Sequence, residues 1–252
     1  MPTRGYTDPG TRRVSEYDPT LQTSYASGSL WASCPLREYL HDPYLGVLID
    51  ERWEGYNAQA TTGNYTLTQA TSGTAVISTT EQGVLSVDAG ATTAHQGANI
   101  QRLKSMILPA VGKDIWAEFR VKTSFLTLEG FVGLKASNTT IIASGSLNGN
   151  NHIGWSTVTG DGVLLFVSDK AGTGIAPATA TTLVAATYVR LGFRYDGTAD
   201  TIQQYINGLP VGYAVATANV PKVALYPSFV CQTTGTSQPV MAISAYRIFQ
   251  LR

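Results

Sequence analysis

The sequence predicts an all-β fold, an antiparallel sandwich of two packed sheets, and three observations lead to this prediction. Only 13% of the 252 residues are charged, about half the usual fraction of roughly 25%. Short segments of alternating apolar and polar residues, separated by Gly, Asn and Asp, fill the chain from residue 51 onward. No amphipathic helix of three turns competes with them, so helical crossovers between parallel strands are not expected.

Two segments show the period of two that a half-buried strand requires. Residues 114–124 alternate between an apolar set, Ile115, Ala117, Phe119 and Val121, and a second set, Trp116, Glu118, Arg120 and Lys122. Residues 187–195 alternate in the same way between Val189, Leu191, Phe193 and Tyr195 on one face and Tyr188, Arg190 and Arg194 on the other. The pairs Asp196–Gly197 and Asn207–Gly208 that follow are typical of tight turns.

The composition changes near Asp50. Residues 1–50 hold five of the 11 prolines and five of the 13 tyrosines, and they show almost no apolar periodicity. Because proline fixes φ and blocks ladder hydrogen bonds, we predict an extended, irregular N-terminal arm over residues 1–50, with a possible short helix near residues 35–41. The sandwich domain is predicted over residues 51–252, and we expect it to fold without the arm.

Aromatic residues spaced along an extended arm indicate anchors that become buried when the arm binds a partner, since tyrosine gives contact area at low entropic cost. An arm that packs on its own domain is the alternative, and both arrangements can hold at once. The candidate partner-binding residues are Tyr6, Arg12, Arg13, Tyr17, Tyr25, Trp31, Tyr39 and Tyr44.

The order of strands and turns in LGFRYDGTADTIQQYINGLPVG (residues 191–212), with the closing segment MAISAYRIFQLR, resembles the concanavalin-like or laminin-G-like jelly-roll sandwich. Read over residues 45–252, the chain is similar to tailed-phage virion structural proteins built on this sandwich. That resemblance implies a non-enzymatic capsid decoration or cement protein on the capsid exterior, made in the host cytoplasm. Its partners would be the major capsid protein and other copies of itself, as a dimer or trimer.

Two other functions stay open. A lectin-like module of a head fibre or tail structure, binding a host glycan, is the first alternative, and Trp53, Trp116 and Trp155 are its candidate platform unless they belong to the core. A glycoside hydrolase is the second. Retaining enzymes on such a sandwich need closely spaced acids on one strand face, but Glu51 and Glu54 lie three residues apart and Glu118 is alone on its strand. We therefore expect no catalytic residues.

Cofactors, nucleic acid and membranes are not expected. The 17 basic and 17 acidic residues balance, whereas nucleic-acid binding normally uses a basic excess. The start, MPTRGYTDPGTRR, lacks the apolar stretch of a secretory signal, and no apolar run approaches the length of a membrane span. Cys34 and Cys231 form no zinc pattern, and His41, His95 and His152 lack metal-ligand spacing.

Overall fold

A computed structural model gives the architecture. It describes residues 6–7, 14–15, 29–53, 64–70, 72–103, 106–138, 140–143, 146–149, 151–157, 161–174, 178–215 and 217–252. Within them lies one α-helix, α1 (Leu36–His41). The strands are β1 (Tyr6–Thr7), β2 (Val14–Ser15), β3 (Gly46–Glu51), β4 (Thr66–Ala70), β5 (Thr74–Ile77), β6 (Leu85–Asp88), β7 (Gly97–Gln101), β8 (Ile115–Thr123), β9 (Leu128–Lys135), β10 (Ile142–Ala143), β11 (Ser146–Leu147), β12 (His152–Ser156), β13 (Val163–Lys170), β14 (Thr173–Gly174), β15 (Ala178–Thr182), β16 (Val189–Asp196), β17 (Thr201–Ile206), β18 (Leu209–Val215), β19 (Tyr226–Thr233) and β20 (Val240–Leu251).

Two large antiparallel sheets form the sandwich, which confirms the predicted all-β jelly-roll class. Sheet I has the order β18-β17-β16-β8-β20-β6-β5, and β3 pairs with the second half of β20. Sheet II has the order β14-β13-β12-β9-β19-β7-β4, and β15 pairs with β13. The register between β8 and β16 places Arg120 directly opposite Arg190, a pairing that matters for the site described below.

The core lies between the two sheets, and its composition follows the alternation predicted from the sequence. Ile115, Ala117, Phe119 and Val121 of β8 are buried in the core together with Leu191, Phe193 and Tyr195 of β16. Trp155 of β12 spans the interior, where its indole N–H donates to the carbonyl of Gly192 in sheet I at 3.3 Å. Burial of apolar area at roughly 25 cal/mol per Å² is the main force that holds the sheets together.

The two turns predicted after β16 and β17 have the expected chemistry. Asp196 Oδ1 accepts hydrogen bonds from the backbone N–H groups of Thr198 and Ala199, both at 2.9 Å. Asn207 and Gly208 both have positive φ, 52° and 83°, as a two-residue hairpin between β17 and β18 requires. These turns join β16 to β17 and β17 to β18 in sheet I.

Residues 29–45 pack on the outer face of sheet I and are called the N-terminal cap here. Leu30, only 1% exposed, lies against Trp116, Tyr205 and Phe249, and its backbone N–H donates to the carbonyl of Gly208 at 3.2 Å. Gly192 makes room for this contact, since a Cβ there would lie 2.6 Å from Leu30 Cδ2. The cap leads into β3, which lies across the boundary predicted between residues 50 and 51.

The outer face of sheet II is covered by the hairpin β10–β11 and its flanking residues. Ile141 and Ile142 pack against Phe131, Leu165 and Val230 of the sheet. Polar side chains of the sheet also satisfy the backbone of this hairpin, because buried peptide groups need partners. Asn99 Nδ2 donates to the Asn138 carbonyl at 3.1 Å, Gln101 Oε1 accepts from the Asn138 N–H at 2.9 Å, and Lys135 Nζ donates to the Gly149 carbonyl at 3.0 Å.

His152 lies under this cover, opposite Lys135 of β9 and Asp169 of β13. Burial, and next the positive charge of Lys135, lower the pKa of His152 to about 4, and its Nδ1 atom has no hydrogen-bond partner among the described residues. The folded protein therefore favours the neutral imidazole, whereas the unfolded chain protonates it below about 6.5.

We predict that this difference makes the fold sensitive to acid. As the pH falls from about 6.5 to 4, the unfolded state binds the proton of His152 more readily than the folded state does. This difference should lower the free energy of unfolding by about 3 kcal/mol. Urea unfolding of the wild type and of His152→Gln at pH 7 and near pH 4 measures this cost. The variant should lose less stability on acidification, and equal losses in the two proteins would refute the prediction.

Candidate functional site

The outer face of sheet I that the cap leaves open carries a shallow groove of about 250 Å³. Charged side chains dominate its walls. We call it the arginine groove, formed by Arg52, Arg120, Arg190 and Arg247 with the carboxylates of Asp50 and Glu118.

Four neighbouring segments bring these side chains together. β8 contributes Arg120 and β16 contributes Arg190, and the two residues are directly opposed in the antiparallel register. Arg247 of β20 lies between Glu118 of β8 and Asp50 of β3. Since side chains of a strand alternate between its faces, the groove residues on these four strands project away from the core, and the exposed Arg52 directly follows β3.

The arginines differ in their partners. Arg247 Nη2 lies 2.6 Å from Asp50 Oδ2. Arg120 Nη1 donates to Ser244 Oγ at 2.8 Å, and its guanidinium carbon lies 3.9 Å from the centre of the Tyr188 ring. Arg190 Nη2 donates to the Asn207 carbonyl at 3.0 Å. Arg52, Arg120 and Arg190 form no ion pair with any of the described residues.

The pair of arginines on β8 and β16 is electrostatically unfavourable in the free protein. Like charges directly opposite one another on neighbouring strands destabilise a sheet, and Arg120 and Arg190 are both exposed. Four arginines against two carboxylates leave the groove with an excess of two positive charges, although the whole chain is neutral. The groove is therefore suited to a ligand with about two negative charges.

Tyr188 supports the groove from its rim. Its hydroxyl donates to Glu81 Oε2 at 2.6 Å, and burial followed by this carboxylate raises the pKa of Tyr188 above its ordinary value. Glu81 is also paired with Lys122, which places a neutralised pair next to the groove. Tyr188 thus stays protonated and holds its ring beneath the guanidinium of Arg120.

The acidic residues considered for glycosidase chemistry do not converge. Glu51 accepts the backbone N–H of Trp53 at 3.0 Å and the Tyr65 hydroxyl at 2.9 Å, and Glu54 lies outside the described residues. Glu118 projects from the outer face of sheet I. A further buried acid, Glu129, projects from the outer face of sheet II, where its Oε2 lies 2.9 Å from His95 Nδ1. Glu118 and Glu129 are therefore on opposite sides of the sandwich.

The candidate partner-binding residues fall into four groups. Trp31 and Tyr39 pack on the sandwich within the cap; Tyr39 meets Phe249 edge to face at 5.4 Å, and the Arg247 guanidinium lies 5.8 Å from the Trp31 ring. Tyr44 is 80% exposed. Tyr6 lies in β1. Arg12, Arg13, Tyr17 and Tyr25 lie outside the described residues.

The tryptophans considered for a sugar platform are each only 1% exposed. Trp53 and Trp155 lie in the core between the sheets, as the alternative assignment expected. Trp116 lies on the outer face of sheet I, where the N-terminal cap covers it. Both cysteines are free thiols, and burial raises the pKa of each to about 12. Across the described ranges, no three His, Cys, Asp or Glu side chains are grouped so that they could hold a metal ion. No helix in this part of the chain is long and apolar enough to span a membrane.

Comparisons with known proteins identify the fold. No family model matches the chain, and no curated protein is similar to it in sequence. A β-glucanase from Bacillus licheniformis has a similar structure at 12% identity and a TM-score of 0.59, covering 81% of this chain and 98% of its own. Arcelin-5, a lectin-like defence protein from Phaseolus vulgaris, matches at 9% identity and a TM-score of 0.57, covering 82% of this chain and 100% of its own.

A protein of unknown function from Shewanella oneidensis MR-1 matches at 14% identity and a TM-score of 0.58, covering 99% of this chain and 97% of its own. At these identities the likeness shows the fold alone. The chain therefore shares the concanavalin-like jelly-roll sandwich with lectins and glucanases.

Proposed function

We propose that this chain is a non-enzymatic structural protein of a tailed-phage virion, which decorates the capsid by binding the major capsid protein and neighbouring copies of itself. The resemblance over residues 45–252 supplies the virion setting. The exposed arginine groove beside the N-terminal cap is the observation that carries the attachment function. A flat, polar sheet face next to a docked segment is suited to contact with another protein.

Three features favour attachment over the sugar-based alternatives. The outer face of sheet II is filled by the protein's own hairpin, with Phe131, Ile141 and Val230 fully buried. The tryptophans considered for a glycan platform are buried, Trp53 and Trp155 in the core and Trp116 beneath the cap. Glu118 and Glu129 are on opposite sides of the sandwich, so they cannot act together on one glycosidic bond as a retaining or inverting pair does.

Occupancy on phage heads that lack this component tests the proposal. We expect the full-length protein to bind to such heads at a fixed number of copies per capsid protein, because repeated weak contacts on a shell add up to avidity. Cryo-electron microscopy of the decorated heads measures this occupancy. Failure to bind the heads, or turnover of a polysaccharide that Glu118→Gln or Glu129→Gln abolishes, would contradict the proposal.

A further inference from the structure

We propose that the arginine groove binds a carboxylate-rich segment of the protein to which this chain attaches. The inference rests on the proposed attachment function and names the chemistry of the partner surface. Its ligand is a stretch of polypeptide with two acidic side chains close enough to reach Arg120 and Arg190 together.

The arrangement of Arg120 and Arg190 is the first support. The guanidinium group presents a planar fork of donors that matches a carboxylate in two parallel hydrogen bonds. The hydrogen bonds that Arg120 and Arg190 make within the chain, to a hydroxyl and a carbonyl, use one terminal nitrogen each. Donor capacity therefore remains on both side chains. A bound carboxylate would also relieve the repulsion between two opposed cations.

The rigidity of the groove is the second support. Arg120 is held over the Tyr188 ring at 3.9 Å, and Arg190 is fixed to the Asn207 turn by its bond to the Asn207 carbonyl. Side chains that are positioned before binding lose less rotamer entropy when the ligand arrives. Arg247 is held by its ion pair with Asp50, so three of the four cations have fixed positions on β20, β8 and β16.

The charge balance favours carboxylates over phosphates. Asp50 and Glu118 lie within the groove and would repel a ligand of high negative charge density, such as a nucleic-acid backbone. The excess of two positive charges matches two carboxylates. A neutral chain also supplies little of the long-range attraction on which nucleic-acid binding depends.

A fluorescent oligoglutamate peptide is the probe for this inference. Anisotropy titration at low ionic strength should show binding by the full-length protein, weakened by added salt, and no binding of an oligoglutamine peptide. The double variant Arg120→Glu/Arg190→Glu should lose about tenfold or more in affinity, since opposed like charges across an interface are costly. Arg120→Gln/Arg190→Gln should give a smaller loss.

The matched control is Lys170→Glu/Arg252→Glu, which changes the net charge equally at two exposed cations outside the groove. At about 0.15 M salt, where the Debye length is about 8 Å, its affinity should stay within about twofold of the wild type, because neither side chain lines the groove. All variants should be folded at the temperature of the titration, which thermal unfolding followed by circular dichroism checks. The inference would be overturned if Lys170→Glu/Arg252→Glu lost as much affinity as Arg120→Glu/Arg190→Glu. It would also be overturned if the protein bound a single-stranded oligonucleotide more tightly than oligoglutamate.

The peptide assay and the occupancy assay fail independently. If the Arg120→Glu/Arg190→Glu protein still decorates phage heads at wild-type occupancy, the groove does not contact the partner and the inference falls, while the attachment function stands. If the wild type binds oligoglutamate through the groove but never occupies phage heads, the proposed function falls, while the ligand chemistry of the groove stands.

Discussion

A chain that begins at Ser29 is expected to unfold cooperatively near the melting temperature of the full-length protein, whereas a chain that begins at Glu51 is expected to lose its cooperative transition. The two proteins differ by the N-terminal cap and by residues 46–50 of β3. The contacts of these residues with Trp116, Phe249 and β20 replace the sequence-based expectation that residues 51–252 fold without the arm. Thermal unfolding followed by circular dichroism measures both transitions.

Loss of the cap and of β3 removes apolar contacts and backbone pairing at once. Leu30 is buried against Trp116 and Phe249, and truncation of a buried leucine alone costs about 2–5 kcal/mol. Removal of β3 leaves the half of β20 from Tyr246 to Leu251 without its partner, which creates an open sheet edge that favours aggregation. These costs are comparable with the total stability of about 5–15 kcal/mol of a typical domain.

Two intermediate proteins separate the contributions. A chain that begins at Gly46 keeps β3 but lacks the cap, and we expect it to be destabilised while it still unfolds cooperatively. Leu30→Ala in the full-length protein should reproduce part of that loss. If the chain that begins at Glu51 instead melts like the full-length protein, residues 51–252 fold independently and the contacts of the cap contribute little.

Substitution of Trp53 is expected to have the second-largest effect. Its indole packs in the core among Tyr65, Phe229 and Tyr246, with ring centres 5.1, 6.0 and 5.7 Å away. Replacement of such a buried aromatic side chain by alanine costs about 3–5 kcal/mol. Urea unfolding should show this loss for Trp53→Ala.

The backbone conformation at Trp53 predicts a specific order of stability for the glycine and alanine variants. Its φ is +60°, a left-handed conformation that costs a residue with a Cβ about 1–2 kcal/mol and costs glycine little. In most positions glycine is more destabilising than alanine, but here Trp53→Gly should be at least as stable as Trp53→Ala.

Ala186 provides the control for the backbone alone. It has φ of +56° and is exposed, so Ala186→Gly should raise stability by up to about 1 kcal/mol without any change in packing. If Trp53→Gly is clearly less stable than Trp53→Ala while Ala186→Gly behaves as expected, the strain at Trp53 is not released by glycine and the prediction is wrong.

The sequence predicts local features well because they depend on neighbours in the chain. The alternation in β8 and β16, and the turns at Asp196 and Asn207, follow from a period of two and from the chemistry of Asp, Asn and Gly. The sequence also places Arg120 and Arg190 on polar strand faces. It does not reveal that these residues face each other, because their pairing joins strands about seventy residues apart through a register that only the complete sheet determines.

Two other features depend on tertiary contacts in the same way. Trp31 and Tyr39 are spaced like anchors for a partner, yet they pack on Phe249 and its neighbours because sheet I presents an apolar area beside the groove. Ile141 and Ile142 lie in a segment rich in Asn, Thr, Gly and Ser, where turn residues dominate the pattern. Their burial depends on the packing of the hairpin on Phe131, which is a tertiary contact that the local pattern does not specify.

The pairing of β3 with β20 also determines how the protein carries mechanical load. Gly46 is opposite Leu251, and the Arg252 N–H donates to the Leu45 carbonyl at 3.1 Å, so the entrance of β3 and the C-terminus lie side by side. A force that pulls these two points apart would break the hydrogen bonds between β3 and β20 one after another, starting at Gly46 and Leu251. A force applied through residues before Leu30 would instead first have to lift Leu30 from Trp116, which spreads the tension over an apolar contact before any strand is peeled from the sheet.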